Sequence, residues 1–276
     1  MKNIFLRPTE EKVIEALYLI IAIIIWQLVA DRVVQNKFIL PSFYDVIIAL
    51  FNIITSGLIL SDTLTSLLHF SIGFVAALTI GISLGIAMTW FKQANRAIDP
   101  LIKMLRLISP FAWIIFAIFL VPWAIVFFGL THEAIGFVVF VGMVFPILIN
   151  TYLGLKNAYA VYVETAEVSD YTKNIDLKHL IGTPSALHSI VEGIRIASGM
   201  GWMCLLVAEY LMWGVSTNGY GYQVWHNYYL HRTDYAIAYM LLLGFVSFLF
   251  DQFFRYYMDT KTLRWTSGTL VRNRIS

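Results

Sequence analysis

The sequence is poor in charge and almost free of cysteine. Charged residues make up 13% of the 276 residues, well below the roughly 25% of soluble domains, while 59% are hydrophobic and mean hydropathy is +0.74. The single cysteine, Cys204, excludes an internal disulfide framework and a cysteine-cluster metal site. The net charge of +2, without a basic patch interleaved with aromatics, argues against nucleic-acid binding. We therefore predict a polytopic membrane protein.

Six apolar segments approach the roughly 20 residues that a helix needs to cross the hydrocarbon core. They are residues 13–30, 69–91, 107–130, 134–153, 194–214 and 235–256. Continuous rather than alternating apolar runs favour helices over a barrel. Pro110 and Pro122 predict a kinked or broken third helix because proline lacks a backbone donor. The first run ends in Val29-Ala30-Asp31-Arg32, a poor signal-peptide cleavage site, so we expect this helix to be retained.

Lysine and arginine are distributed asymmetrically between the two sides of these spans. Of the 19 basic residues, only Arg32, Lys37 and Arg232 fall on the side opposite the termini. Positive loops face the cytoplasm in membrane proteins, which predicts a protein of the cell membrane with both termini cytoplasmic. The same rule places the segment between the fourth and fifth spans, residues 154–195, inside the cell.

That segment is polar and partly acidic. From Val163 to Lys173 its composition suits a helix, with small and acidic side chains on neighbouring faces: Glu164, Thr165, Ala166, Glu167, Ser169 and Asp170. Gly182 and Pro184 then break the chain. We expect a short surface helix, a turn and a second short helix, which would suit docking to a soluble partner. A solvated connector is the alternative.

The residue order resembles permeases of the nitrate, sulfonate, taurine and bicarbonate ABC importer family. The family has a Glu-Ala-Ala motif followed after three residues by glycine, then a proline, and then a Gly-x-Arg motif at the start of the next helix. The positions of these motifs are held here by Glu164, Thr165, Ala166, Asp170, Pro184, Gly193 and Arg195. Asp170 stands where the family has glycine, and His188 where a second proline is usual. Further matches follow in the family's order: Leu40-Pro41-Ser42, Asp99-Pro100-Leu101, Phe145-Pro146-Ile147, Ala208-Glu209 and Gly219-Tyr220-Gly221-Tyr222.

The resemblance implies a type I, methionine-importer-like ABC permease, with residues 1–276 forming one transmembrane domain in the lipid bilayer. Its partners would be two cytoplasmic ATPase subunits that bind ATP and magnesium, an extracytoplasmic solute-binding protein, and a second permease. That second permease would be another copy of this chain, in a homodimer, or a relative of it. This chain would hold no cofactor and catalyse no reaction. It has no Gly-x-x-x-x-Gly-Lys-Ser/Thr loop for nucleotide phosphates, which agrees with that division.

Two sets of site residues follow from the resemblance. The expected ATPase-coupling residues are Glu164, Thr165, Ala166, Ser169, Asp170 and Pro184. The expected path or gate residues are Glu209, Trp202 and Pro146. An acid inside a span usually faces a bundle interior or water, so Glu209 is either a gate residue or a structural acid bonded to a neighbouring helix. Asp251 lies four residues before Arg255, which predicts an ion pair.

Other functions and solutes stay open at this point. A secondary transporter would normally show an internal repeat and intramembrane charge pairs, and the sequence shows neither. A membrane enzyme would need clustered histidine, acidic or cysteine residues, but the six histidines are scattered. The family points to a small anion such as a sulfonate, taurine, nitrate or bicarbonate, although relatives import thiamine-precursor-like organic solutes.

Overall fold

The computed structural model describes residues 8–119, 133–168, 183–212 and 218–257, and every regular element in these ranges is helical. Within them, five helices are long and apolar enough to cross a membrane, and a bent pair makes six if it counts as one span. The predicted all-α, polytopic architecture is therefore confirmed.

The helices differ widely in length. They are α1 (Pro8–Leu28), α2 (Phe43–Thr55), α3 (Leu58–Trp90), α4 (Lys92–Leu105), α5 (Pro110–Phe119), α6 (Glu133–Val168), α7 (Thr183–Leu211), α8 (Tyr220–Tyr229) and α9 (Thr233–Tyr257). With 33 and 36 residues, α3 and α6 are each roughly 50 Å long at 1.5 Å per residue. Both exceed the ~30 Å hydrocarbon core of a bilayer, so they project beyond it.

The second and third predicted spans differ from the helices observed. α3 begins at Leu58 rather than at residue 69. The additional turns contain one acid, Asp62, which the helix can accommodate because its side chain is buried and has hydrogen-bond partners. In the third span, α5 begins at Pro110 with a 3-10 turn and meets α4 at an angle of 97°. The predicted break is thus observed at Pro110, while Pro122 lies outside the described residues.

The segment between the fourth and fifth spans also differs from its prediction. The sequence predicts a short surface helix over residues 163–173, a turn at Gly182 and Pro184, and a second short helix that leads into the membrane. The first helix is not separate, since α6 runs without a break to Val168, whereas α7 begins at Thr183 and continues into the fifth span; residues 169–182 lie outside the described part of the chain. The polar residues therefore extend the two membrane helices, since helix-compatible composition continues past the last apolar turn.

α6 is the central helix, and glycines bring its neighbours close. A Cβ on Gly73 of α3 would lie 2.6 Å from the carbonyl oxygen of Gly136 and 2.6 Å from the Cβ of Val139. Gly81 and Gly85 meet the next turns of α6 in the same way. Small residues at such spacing let helix backbones approach closely in membranes. The three glycines therefore permit the close packing of α3 on α6.

Aromatic side chains join α3 to two further helices. The rings of Phe70 and Trp202 stack at 4.2 Å, and Phe250 packs edge-on against both, which connects α3, α7 and α9. Cys204 is buried in α7, close to Gly142 of α6. It acts as a small packing residue.

The short helix α2 is fixed at its start by a capping serine. The Ser42 Oγ accepts a hydrogen bond from the Asp45 amide at 3.1 Å and donates to its carboxylate at 2.9 Å. Lys37 Nζ lies 3.0 Å from the same carboxylate. Burial alone would raise the pKa of Asp45, but the hydrogen bonds from Lys37 and Ser42 outweigh it and hold the pKa below its ordinary value.

We expect Ser42→Ala to destabilise α2 by about 1 kcal/mol, because the first turn loses its side-chain cap. Hydrogen exchange of the α2 amides measures this directly. Ser61→Ala, which removes only a bond from an exposed hydroxyl to the Leu58 carbonyl of its own helix, is the matched control. Equal exchange in both variants would contradict the capping role.

Candidate functional site

Glu209 lies at the centre of a buried polar cluster where α3, α7 and α8 meet. Its side chain is fully buried. The carboxylate accepts hydrogen bonds from Ser66 Oγ at 2.8 and 3.0 Å and from the Gly221 amide at 2.8 Å, and His69 Nδ1 lies 2.8 Å away. An acid is tolerated inside an apolar bundle only with such partners.

Asp62 is the second buried acid of the cluster, with 1% of its surface exposed. It accepts from the Gly219 amide at 3.2 Å, the Gln223 side chain at 3.3 Å and the Tyr239 hydroxyl at 3.1 Å. Asp62 thereby connects α3 to the start of α8 and to α9. The two acids bind the same turn from different helices.

That turn, Gly219 to Gly221, is where α8 begins. Gly219 adopts a positive φ of 121°, and a Cβ there would lie 2.8 Å from the Glu209 carboxylate. A Cβ on Gly221 would collide with the Leu206 carbonyl oxygen and lie 2.8 Å from the Cβ of Glu209. The two glycines therefore allow the backbone amides to reach the buried carboxylates.

The cluster fixes the start of α8, because both acids accept hydrogen bonds from its backbone amides. None of the cavities described below includes Glu209 among its described lining residues. Of the two roles that the sequence left open, the geometry favours the structural acid. The sequence reasoning missed Asp62, Ser66 and His69. Their i, i+4, i+7 spacing within an apolar helix was the available signal, since it places all three on one face.

Trp202 borders a cavity of about 710 Å³ between α5, α7 and α9. Phe111, Gly199 and Met203 are also in the lining, and Gly199 has open space where a Cβ would stand. The Trp202 ring stacks on Phe70, while its Nε1 has no hydrogen-bond partner in the described part of the chain. The predicted path residue is thus a packing residue on one face and a cavity residue on the other.

Pro146 borders a smaller cavity of about 190 Å³. This cavity lies beside the first, because Pro110 and Met200 line it while their sequence neighbours Phe111 and Gly199 line the larger one. The Pro146 carbonyl accepts from the Asn150 side chain at 2.9 Å. Two of the three predicted path residues are therefore brought to one region, around the start of α5 and the middle of α7.

The predicted coupling residues lie at the far end of α7 from Glu209. Glu164, Thr165 and Ala166 fall in the last turns of α6, and Pro184 in the first turn of α7, although only their helical backbone is described. Ser169 and Asp170 lie outside the described residues. α7 has 29 residues, so roughly 40 Å separate its two ends.

The predicted ion pair at the end of α9 is confirmed. Arg255 and Asp251 lie 3.5 Å apart at i,i+4 spacing, with half-exposed side chains. A surface pair of this kind contributes on the order of 0.5 kcal/mol or less. It explains Asp251 without a role in transport.

The chain is similar to known transport proteins over most of its length. Residues 77–259 match the family described as binding-protein-dependent transport system inner membrane component. Identity to an ABC transporter permease protein of Methanocaldococcus jannaschii is 34%, covering 91% of each chain. Identity to the bicarbonate transport system permease protein CmpB of Synechococcus elongatus is 36%, over 77% of this chain and 69% of that one. Identity to the aliphatic sulfonates transport permease protein SsuC of Bacillus subtilis is 27%, over 90% and 86%.

Proposed function

Because the chain belongs to the family of binding-protein-dependent transport system inner membrane components, we propose that it is the permease subunit of an ATP-driven importer for a small anion. The match to residues 77–259 is the observation that carries this proposal, since it spans α6, α7 and the polar segment between them. CmpB and SsuC carry bicarbonate and aliphatic sulfonates in their names, which supports an anionic solute.

The coupling to ATP hydrolysis is assigned to the ends of α6 and α7. Both helices run unbroken from the glycine-packed centre of the bundle to the polar segment. A push on that segment would therefore move whole helices rather than a loose loop. Two cytoplasmic ATPase subunits, one for each permease copy, would contact Glu164, Thr165, Ala166, Ser169, Asp170 and Pro184, with the ATP and magnesium held by the ATPases.

The solute path is assigned to the face of α7 between α5 and α9. Trp202 and Pro146 border the two neighbouring cavities there, and Gly199 leaves open space in the lining of the larger one. A second permease copy would close this face into a channel. An extracytoplasmic binding protein would deliver solute at the opposite end from the ATPases, where α8 lies. Glu209 contributes by holding α8 in place.

Ala166→Trp tests the coupling assignment. We expect a bulky ring there to reduce co-purification of the partner ATPase by at least roughly tenfold, because it would block the centre of the interface with the ATPase. The chain should still insert into the membrane. The measurement is the ATPase-to-permease ratio after purification, together with ATP-dependent uptake in proteoliposomes.

Leu153→Trp is the matched control, because Leu153 lies on the same helix with 44% of its surface exposed, before the polar segment begins. It should leave the ATPase ratio unchanged. Full ATPase binding and full uptake in Ala166→Trp would contradict the assignment. Uptake that proceeds without any ATPase would instead indicate a secondary transporter.

A further inference from the structure

The helix α4 joins the end of α3 to the start of α5 and differs from both in orientation. Phe91, in an extended conformation, separates α3 from α4, and α4 meets α5 at 97°. With 14 residues at 1.5 Å per residue, α4 is roughly 20 Å long, too short to cross the ~30 Å hydrocarbon core. A short helix nearly perpendicular to a membrane-entering helix lies along the membrane surface.

One face of α4 and its C-cap carries a stripe of charge. The spacing i, i+4, i+7, i+11, i+14 places five residues on this face: Lys92, Arg96, Asp99, Lys103 and Arg106. The four basic side chains are exposed, and Asp99 pairs with Lys103. Within the described part of the chain, Lys92, Arg96 and Arg106 form no ion pair. We call these five residues the basic stripe.

The opposite face of α4 borders an apolar groove of about 380 Å³, shared with α3 and α6. Its lining includes Ile98, Leu101 and Leu105 of α4 and Ile80 and Leu84 of α3, and every lining residue that the structure describes is aliphatic or aromatic. Leu101 keeps 55% of its surface exposed, so the groove opens to the surroundings of the bundle. Its volume is within the range of small-molecule sites.

Exposed apolar side chains continue from the groove along α4. Met104 is 69% exposed and Leu107, just beyond the helix, is 80% exposed. Such side chains are unfavourable in water but favourable against lipid tails. A helix with a basic face, an exposed apolar side and no membrane-spanning length has the pattern of a helix that lies in the membrane interface.

We propose that α4 binds an anionic phospholipid, with the headgroup at the basic stripe and one acyl chain in the apolar groove. Basic residues at the membrane surface attract anionic headgroups, and a zwitterionic lipid would lack this net attraction. A soluble anion or acidic peptide would leave the groove unfilled. The occupant is a component of the bilayer and not the transported solute, and neither Trp202 nor Pro146 of the assigned path is in the described lining.

Native mass spectrometry of the detergent-purified full-length chain, titrated with dioleoylphosphatidylglycerol or dioleoylphosphatidylcholine, tests the site. The wild type should bind the first phosphatidylglycerol at least roughly tenfold more tightly than phosphatidylcholine. Lys92→Gln and Arg96→Gln should each weaken phosphatidylglycerol binding about fivefold, because each removes one attraction to the headgroup. Both residues are exposed, so neither change disturbs the packed bundle. Lys156→Gln, at an exposed position of α6, is the matched control and should bind like the wild type.

The groove is tested separately from the charge. Ile80→Trp places a large ring in the groove at a residue that is 44% exposed, and it should weaken phosphatidylglycerol binding severalfold by displacing the acyl chain. Val75→Trp is the control on the same helix, because Val75 is 58% exposed and lies outside the described lining of the groove. It should leave the affinity unchanged.

Four outcomes would overturn the proposal: equal affinity for the two lipids in the wild type, unchanged binding in Lys92→Gln and Arg96→Gln, an equal loss in Lys156→Gln, or unchanged binding in Ile80→Trp. Glycerol 1-phosphate, which has the phosphate but no tail, should not displace the lipid. Displacement at millimolar concentration would show a site for free anions instead. Because no ATPase or solute is present, a failure here leaves the proposed importer untouched, and a failure of ATP-driven uptake leaves this lipid site untouched.

Discussion

Replacing Glu209 with alanine is expected to lower the free energy of unfolding by about 3–5 kcal/mol. The change removes the acceptor for Ser66, His69 and the Gly221 amide at once and leaves these groups buried in an apolar bundle. Each buried group without a partner costs about 1–3 kcal/mol, so the total is large for one substitution.

Thermal unfolding of the detergent-purified chain measures this effect. Glu209→Gln keeps one acceptor oxygen but turns an NH₂ group towards the donors, so its loss should be intermediate. Glu192→Ala is the control, because Glu192 is half-exposed and forms a surface ion pair with Arg195, 3.4 Å away at i,i+3 spacing, rather than a buried cluster. A Glu209→Ala protein that unfolds like Glu192→Ala but loses uptake would show that Glu209 acts as a gate rather than as a structural acid.

A single methyl group at Gly73 should be nearly as damaging, with a loss of about 3 kcal/mol. A Cβ there would lie 2.6 Å from the Gly136 carbonyl oxygen, and backbone atoms cannot move aside as a flexible side chain can. The helices α3 and α6 would have to separate along their whole crossing, because a Cβ on Gly81 or Gly85 would lie only 3.0 or 2.7 Å from α6 side chains on the following turns.

Gly199→Ala is the matched control on α7. A Cβ there meets nothing within 4 Å, and alanine favours a helix over glycine by up to about 1 kcal/mol, so this variant should be neutral or slightly more stable. Both variants are compared by thermal unfolding in the same detergent. Equal melting temperatures for Gly73→Ala and Gly199→Ala would contradict the close crossing of α3 and α6.

The helical class and the family were predictable because both depend on signals spread along the chain. Long apolar runs alone predict spanning helices, and the ordered motifs from Leu40 to Tyr222 resemble one importer family, which the match over residues 77–259 confirms. The helix α3 begins 11 residues before the predicted span, since hydropathy penalises Asp62 without regard to the partners that its burial supplies. A local pattern does not reveal a partner far away in the chain.

The buried cluster was only half visible for the same reason. Glu209 was conspicuous as an acid in an apolar run, but its partners Ser66 and His69 are more than 100 residues away in the sequence and become neighbours only through packing. The roles assigned to the coupling and path residues stay predictions.

Labelling of a cysteine at position 169 tests the central claim most directly, namely that the segment between α6 and α7 faces the cytoplasm and binds the ATPase. The experiment uses Ser169→Cys in a Cys204→Ser background and a membrane-impermeant maleimide. The account predicts labelling in inverted membrane vesicles but not in intact cells, and protection from labelling when the ATPase is bound. Labelling from outside intact cells, or equal labelling with and without the ATPase, would contradict it.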